Sequence, residues 1–178
     1  MLEVQSRLYR EAHGLDAVCV VPTNVYGPHD QFSLQDSHVV PGLLHRCYLA
    51  RRDGTPLVVA GSGAPRRQFI YSADLAKLLL AVLRRYSDPS PLILAVDPED
   101  EVSIADVARA VAASLDFRGD IVFDASRADG QLRKTAANAK LRAALPGALG
   151  AKDAFTPLAE GLAATAAWFV QNYESARK

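Results

Sequence analysis

Two uninterrupted apolar runs constrain the fold more than any other feature of the sequence. Residues 17–21 (Ala-Val-Cys-Val-Val) and residues 92–96 (Leu-Ile-Leu-Ala-Val) both lack the polar alternation of a half-exposed strand. Runs of this length and composition are typical of parallel strands that are buried on both faces of a sheet. Two strands cannot form such a sheet alone, so we expect further strands and covering helices to come from outside these residues.

Helical periodicity surrounds the two runs, and the alternation of helices with strands predicts an α/β chain. The first apolar stripe begins at Met1 and stops before Gly14 without a preceding capping residue, so we expect the remainder of a longer helix. Four later helices are expected. One covers residues 39–52 and ends at Asp53-Gly54, and a second follows a cap at Ser72 or Asp74 with the stripe Leu75, Leu78, Leu79, Val82 and Leu83. The other two follow a capping box at Ser103 and Asp106 and follow Pro157.

Charge and composition argue against several classes of partner. The chain has 20 basic and 20 acidic residues, so no long-range field is expected to gather nucleic acid or an anionic membrane. No apolar run approaches the roughly 18 residues that cross a bilayer, and no signal-peptide pattern is present, which predicts a cytoplasmic protein. Cys19 and Cys47 have no metal-ligand spacing, so we expect two free thiols.

The segment that follows the first apolar run is placed to contact a ligand. It reads Pro22-Thr-Asn-Val-Tyr-Gly-Pro28, and ligands of open α/β sheets bind at the carboxyl ends of the strands. Asn24 offers donors and an acceptor that suit a carboxamide or a hydroxyl. A plain turn rich in Pro and Gly explains the segment equally well.

Three histidines, His29, His38 and His45, lie within seventeen residues and suggest either a metal site or acid/base chemistry. Their spacing fits no helical pair of metal ligands, so no metal is predicted. His38 directly precedes a predicted helix, where a cation is unfavourable and the proton-accepting form is favoured. We therefore take His38 as the candidate acid/base.

The stretch Gly61-Ser-Gly-Ala-Pro-Arg-Arg-Gln-Phe-Ile-Tyr71 predicts a tight turn that leads into a strand. It does not match the dinucleotide fingerprint G-x-G-x-x-G. The turn is expected to direct Arg66 and Arg67 toward one place, where their planar guanidinium groups suit a diphosphate. A solvated basic turn is the alternative. Asp129 could accept hydrogen bonds from sugar hydroxyls, or it could simply belong to a turn.

Taken together, these motifs resemble the extended short-chain dehydrogenase/reductases, and within them the GDP-L-fucose synthase group. The resemblance covers the whole chain and rests on four pieces: Pro22-Thr-Asn-Val-Tyr-Gly-Pro-His-Asp30, Ser37-His-Val-Val-Pro41, the Gly61 to Asp74 stretch, and Asp129-Gly130 with Lys134. It implies a remnant of a doubly wound parallel (Rossmann-type) sheet in residues 1–22 and a smaller mixed α/β substrate-binding region in residues 23–178. Residues 92–96 are expected to return to the parallel sheet.

The resemblance also implies roles for individual residues. Pro22, Thr23, Asn24 and Val25 would line the nicotinamide end of NADP(H), and His38 would lie near that ring as the acid/base of an epimerisation. Arg46 and Arg67 would hold the diphosphate of a GDP-sugar, and Asp129 would contact its guanosine. Ala60 occupies a position where such relatives often carry Trp, so a stacking surface for the substrate is absent.

The implied reaction converts GDP-4-keto-6-deoxy-mannose to GDP-L-fucose by proton removal at C3 and C5 and reduction at C4. The Gly-rich loop, the Tyr-x-x-x-Lys pair and the acid/base Cys of such enzymes are absent from these residues, so we expect a truncated chain that is inactive alone. Relatives dimerise through the helix at residues 1–13. A non-catalytic nucleotide-sugar-binding module and an epimerase or dehydratase for another nucleotide sugar remain alternatives.

Overall fold

The computed structural model describes residues 1–178 as six α-helices, nine short strands and one 3-10 turn at Pro98–Asp100. The helices are α1 (Leu2–His13), α2 (Val39–Asp53), α3 (Ser72–Arg85), α4 (Ile104–Ser114), α5 (Ala139–Ala144) and α6 (Leu158–Gln171). The strands are β1 (Val20–Pro22), β2 (Asn24–Tyr26), β3 (Leu57–Ala60), β4 (Arg66–Arg67), β5 (Phe69–Tyr71), β6 (Leu92–Leu94), β7 (Val102–Ser103), β8 (Ile121–Asp124) and β9 (Arg133–Lys134). The predicted α/β class is confirmed.

The chain divides into two compact units, each built from three segments. The first unit contains residues 1–25, 68–100 and 136–155, and the second contains residues 26–67, 101–135 and 156–178. The domain boundary that the resemblance implies after residue 22 stays a prediction.

The two apolar runs of the sequence pair with each other in the first unit. β1 and β6 are parallel, with Val20 opposite Leu92 and Val21 opposite Ile93, which confirms the predicted parallel strands. Only one face of the pair is covered within these residues, which agrees with the expectation that two strands alone cannot form a sheet buried on both faces. Leu92 is fully buried, whereas Val21 is 51% and Ile93 is 39% exposed. Alternate side chains of a strand point to opposite faces, and no element of these 178 residues covers the second face.

Helix α3 and α5 contribute to the core on the covered face of this unit. The predicted cap of α3 is wrong, because the helix begins at Ser72 and Tyr71 is its N-cap residue without a side-chain capping bond. Asp74 is buried and forms an ion pair with Lys77 at 3.0 Å. The apolar stripe is wider than the buried face, since Leu83 remains 83% exposed.

Helix α1 ends at Gly14, which adopts the left-handed conformation with φ of 66° that glycine tolerates best. This confirms the predicted stop. None of the residues of α1 is buried, although its stripe includes Val4 and Leu8. Both cysteines of the chain are free thiols, with Cys47 buried and Cys19 half-buried.

Three helices and two small sheets form the second unit. Helix α4 packs against α2 and α6, and its first turn carries the predicted capping box between Ser103 and Asp106. Helix α2 ends at Gly54 as the sequence predicts. Trp168 of α6 packs against His29 and Phe32, with ring centroids 4.4 Å and 6.0 Å away. β3 and β8 pair in parallel beside these helices.

A three-stranded sheet in the order β7-β4-β9 completes the second unit. Its central strand β4 has only two residues, Arg66 and Arg67. Arg66 lies opposite Ser103 in β7 and opposite Arg133 in β9. Because Ser103 also caps α4, the sheet connects the Gly61–Gly63 turn to the start of that helix. No helix of the chain has the length and apolar character to span a bilayer.

Candidate functional site

A surface cavity of about 220 Å³ in the second unit brings together three of the predicted substrate-binding residues. Its walls are formed mainly by small or apolar residues, with one arginine and one aspartate: Val39, Ala60, Gly63, Pro65, Arg67, Ile104, Ala128, Asp129 and Gly130. An apolar wall with a few convergent polar groups is the usual character of a small-molecule site. Ala60, Arg67 and Asp129 therefore share one concave surface.

The Gly61–Gly63 turn forms one edge of this cavity, and two hydrogen bonds connect it to Asp129. The carboxylate accepts from the Ser62 backbone N–H at 2.9 Å and from the Ser62 hydroxyl at 2.5 Å. A Cβ at Gly61 would lie 2.4 Å from Asp129 Oδ1, and the φ of Gly61 is +85°, so both the contact and the backbone favour glycine. The bonds from Ser62 lower the pKa of Asp129, which keeps the carboxylate ionised.

Arg67 borders the cavity and Arg66 does not. Successive residues of a strand point to opposite faces, so the two guanidinium groups of β4 separate. Arg66 forms an ion pair with the buried Glu101 at 3.2 Å. The expectation that Arg66 and Arg67 converge is therefore wrong. Arg67 donates from Nη1 to the carbonyl of Arg66 at 2.6 Å and forms no ion pair, so its charge is not neutralised by a carboxylate.

His38 is exposed and is the N-cap residue of α2, as the sequence predicts, with an extended backbone. It does not line the cavity, although its chain neighbour Val39 does. Asp30 lies near enough to be influenced by His38. Burial raises the pKa of Asp30, and the bond from the Gln31 N–H and the charges of His38 and Arg177 oppose that rise.

The other two histidines of the cluster have packing and hydrogen-bonding roles. His29 packs against Trp168. His45 is buried, with Nδ1 bonded to the Phe32 carbonyl at 2.7 Å and Nε2 to the Tyr173 hydroxyl at 3.3 Å. Burial lowers the pKa of His45. The three imidazoles thus lie in three different environments.

Arg46 does not line the cavity that holds Arg67. Its Nη2 donates to the carbonyl of Leu34 at 2.8 Å. Burial and, to a smaller extent, the charge of Arg127 lower the pKa of Arg46. Its assignment to a diphosphate stays a prediction.

Residues 22–25, the segment that the resemblance assigns to a cofactor, lie in the first unit. Asn24 donates from its amide to the carbonyl of Gln68 at 2.8 Å. The hydroxyl oxygen of Thr23 is buried and has no hydrogen-bond partner. Buried hydroxyls without a partner are uncommon, so this one is a candidate to receive a bond from a ligand.

Sequence reasoning missed Ser62, Gly63, Ile104 and Gly130 as residues of the site. Ser62 is separated from Asp129 by 67 positions, and no local pattern signals a hydrogen bond between them. Glycines at positions 61 and 63 were visible as a turn, but the partner that approaches them was not. Only the fold shows which side chain occupies the space beside each glycine.

The model of the NAD dependent epimerase/dehydratase family matches residues 1–96, which is more than half of the chain. The chain belongs to that family. Among its relatives, a GDP-L-fucose synthase of Dictyostelium discoideum is 48% identical over 178 residues, which is all of this chain and 54% of that protein. A probable GDP-L-fucose synthase of Drosophila melanogaster is 42% identical and is covered over 56% of its length.

A solved structure is similar to this chain in both fold and sequence. The crystal structure of a GDP-L-fucose synthetase from Naegleria fowleri bound to NADP superposes with a TM-score of 0.92 and is 42% identical. The match covers 99% of this chain and 55% of that one. The chain therefore spans about half the length of the family members that it matches, and its fold is a fragment of the full Rossmann-like fold of the family.

One buried polar group bears on the cofactor that the resemblance implies. The family member from Naegleria fowleri was solved with NADP. In this chain the unpartnered Thr23 hydroxyl is one group that a nicotinamide carboxamide could satisfy. The sequence contains no G-x-G-x-x-G motif, which in dinucleotide-binding proteins receives the pyrophosphate. The assignment of Pro22, Thr23, Asn24 and Val25 to the nicotinamide end stays a prediction, and the Thr23 hydroxyl is the observation that supports it.

Proposed function

We propose that this chain is the nucleotide-sugar-binding part of a GDP-L-fucose synthase-like enzyme and that its cavity holds part of a GDP-sugar. The observation that carries the proposal is that Arg67 and Asp129 line one cavity between apolar walls. The cavity of about 220 Å³ is smaller than the roughly 300 Å³ of typical small-molecule sites, so it takes one portion of a nucleotide sugar rather than all of it.

The two polar groups of the cavity are proposed to contact different parts of the GDP-sugar. The unpaired guanidinium of Arg67 suits a diphosphate, because its planar donors match phosphate oxygens in a bidentate arrangement. Each carboxylate oxygen of Asp129 has a second lone pair beside the one that Ser62 uses, so it accepts a hydrogen bond from the guanosine portion. Ala60 leaves an open wall where relatives of this kind often carry a stacking ring. Arg46, which lies on α2 outside the cavity walls, is proposed as a second arginine for the diphosphate.

His38 is the acid/base residue in this proposal. A ketone acidifies the neighbouring C–H bonds, so an exposed imidazole beside a 4-keto sugar can remove or deliver a proton at C3 and C5 on one face of the ring. Inversion also needs an acid or base on the opposite face, the role of the Cys of such enzymes that these residues do not contain. NADPH, when bound, supplies the hydride that reduces the C4 carbonyl, and Pro22, Thr23, Asn24 and Val25 line its nicotinamide end.

These 178 residues contain neither a Gly-rich dinucleotide loop nor a Tyr-x-x-x-Lys pair. We therefore propose that the chain alone binds a GDP-sugar without completing the reduction. Helix α1, whose Val4 and Leu8 are 47% and 52% exposed, supplies an apolar surface for a homodimer through residues 1–13.

Titration calorimetry with GDP, UDP, dTDP and NADPH tests this function. The proposal predicts measurable binding of GDP, weaker binding of UDP and dTDP, and little binding of NADPH. Tighter binding of UDP or dTDP than of GDP would replace the substrate class with another nucleotide sugar. NADPH absorbance measures turnover of GDP-4-keto-6-deoxy-mannose. Turnover by the chain alone would contradict the proposal that it binds the sugar nucleotide without completing the reduction.

A further inference from the structure

The side chain of Glu101 is only 2% exposed and joins all three strands of the β7-β4-β9 sheet. Glu101 directly precedes β7. Its carboxylate accepts from Arg66 Nε of β4 at 3.2 Å and forms an ion pair with Arg133 Nε of β9 at 2.9 Å. The hydroxyl of Thr135, which follows β9, also donates to it. Arg66 Nη2 donates to the Glu101 backbone carbonyl at 2.7 Å, so this arginine contacts Glu101 twice.

Two positive charges lie opposite each other in this sheet, and the Glu101 carboxylate pairs with both. Arg66 and Arg133 are directly opposite partners in the parallel pair β4–β9. Like charges at opposite positions destabilise a strand pair, and β4 and β9 each have only two residues to resist that repulsion. Glu101 binds both guanidinium groups and so turns a repulsive pair into a bridged one. The bonds from Thr135, Arg66 and Arg133 lower the pKa of Glu101, and burial opposes them.

The bridge at Glu101 affects the cavity in two ways. One is the alternation of side-chain directions along β4, and the other is the segment that leads into β9. With Arg66 held on the Glu101 face, Arg67 projects from the opposite face and borders the cavity. The backbone N–H of Arg66 also donates to the Leu132 carbonyl at 2.8 Å, which ties β4 to the segment after the cavity residues Ala128, Asp129 and Gly130.

We propose that Glu101 is a positioning residue for nucleotide binding: by bridging Arg66 and Arg133 it keeps β4 beside β9 and so orients Arg67 toward the cavity. Glu101 does not touch the ligand. This inference rests on the proposed function only in taking Arg67 as the group that binds the nucleotide.

The test is the substitution Glu101→Gln, which keeps the shape of the side chain and removes its charge. Binding of GDP should weaken roughly tenfold, and in an Arg67→Ala background the same substitution should change binding by less than about twofold, because it acts through Arg67. Removing the repulsion should rescue binding, so the double variant Glu101→Gln/Arg133→Gln should return to within about threefold of the wild type. A role confined to general stability predicts neither the coupling nor the rescue.

Hydrogen exchange followed by mass spectrometry gives a second readout that needs no nucleotide. Amides of β4 and β9 should exchange faster in Glu101→Gln, with α4 and α6 unchanged, and should recover protection in the double variant. If wild-type chain fails to bind GDP while this exchange pattern is seen, the proposed function fails and the role of Glu101 in the sheet stands.

Should Glu101→Gln not fold, Glu101→Asp keeps the charge and shortens the reach of the carboxylate. That variant should show a smaller loss of GDP affinity and a smaller increase in β4 exchange. Unchanged exchange and unchanged affinity in a folded Glu101 variant would overturn the inference, as would a loss of affinity that Arg133→Gln does not rescue.

Discussion

Ser62 and Asp129 hold the cavity together through a pair of hydrogen bonds from the Gly61–Gly63 turn to a loop 67 positions away. Both oxygens of Asp129 take part, one accepting from the Ser62 N–H and the other from its hydroxyl. The same carboxylate borders the cavity. One contact therefore both shapes the candidate site and fixes one of its polar groups.

The ionisation of Asp129 should depend on Ser62. Because the two bonds lower its pKa, the folded carboxylate should titrate below the ordinary value of 3.8, and Ser62→Ala should move the midpoint upward. A carboxylate with a depressed pKa stabilises the fold above its unfolded pKa, and that contribution is lost as the pH falls through the folded value. A side-chain carboxyl NMR titration checks this. Asp124, whose pKa is lowered by Ser126 instead, is the control that should not move.

Gly61→Ala should destabilise the second unit more than Gly54→Ala does. Both glycines have positive φ, which costs a non-glycine residue about 1–3 kcal/mol. Only at Gly61 would the added Cβ also meet Asp129, whereas at Gly54 no atom lies within 4 Å. Urea denaturation of the two variants measures the difference. Equal losses would show that the contact between Gly61 and Asp129 contributes nothing.

The two predicted helix caps give another matched comparison. Ser103→Ala should lower the free energy of unfolding by about 1 kcal/mol, because Ser103 accepts from the Asp106 N–H in the capping box. Ser72→Ala should change it by less than about 0.5 kcal/mol, since Ser72 makes no capping bond in α3. Both values come from urea denaturation. A large loss at Ser72 would contradict the observed start of α3.

The stability of the chain should decrease as the pH falls below the ordinary histidine pKa of 6.5. Burial lowers the pKa of His45, so the folded state binds its proton less readily than the unfolded state does. The neutral ring therefore contributes stability above pH 6.5, and this contribution is lost as the pH falls from 6.5 to the lower pKa of the folded state. His45→Gln should flatten the acid side of a stability–pH curve from thermal melts. A curve as steep as the wild-type one would assign the effect to other groups.

Local patterns in the sequence predicted much of the fold. The apolar runs predicted β1 and β6, the glycines at positions 14 and 54 predicted the ends of two helices, and Ser103 with Asp106 predicted a capping box. These features depend on residues near one another in the chain. The apolar pattern of β1 and β6 indicates that both faces prefer to be buried, but it does not identify the element that covers each face.

The site was predictable only in part, for the same physical reason. The resemblance selected Ala60, Arg67 and Asp129, which share the cavity, while Arg46 and His38 lie outside its walls. Arg66 was misplaced because its strand of two residues is too short to show alternation in the sequence. Its ion-pair partner, Glu101, lies 35 positions away and follows three other acidic residues, and nothing in the sequence distinguishes the buried carboxylate from its neighbours.

The affinity of Arg67→Ala for GDP tests the central claim most directly. Loss of a charge-assisted contact to phosphate, worth about 1.5–3 kcal/mol, should weaken binding by about tenfold or more in titration calorimetry. Arg118→Ala is the matched control, because Arg118 is 87% exposed, pairs with Asp116 and does not border the cavity, so its GDP affinity should equal that of the wild type. Wild-type affinity for GDP in a folded Arg67→Ala variant would contradict the assignment of this cavity to a nucleotide sugar.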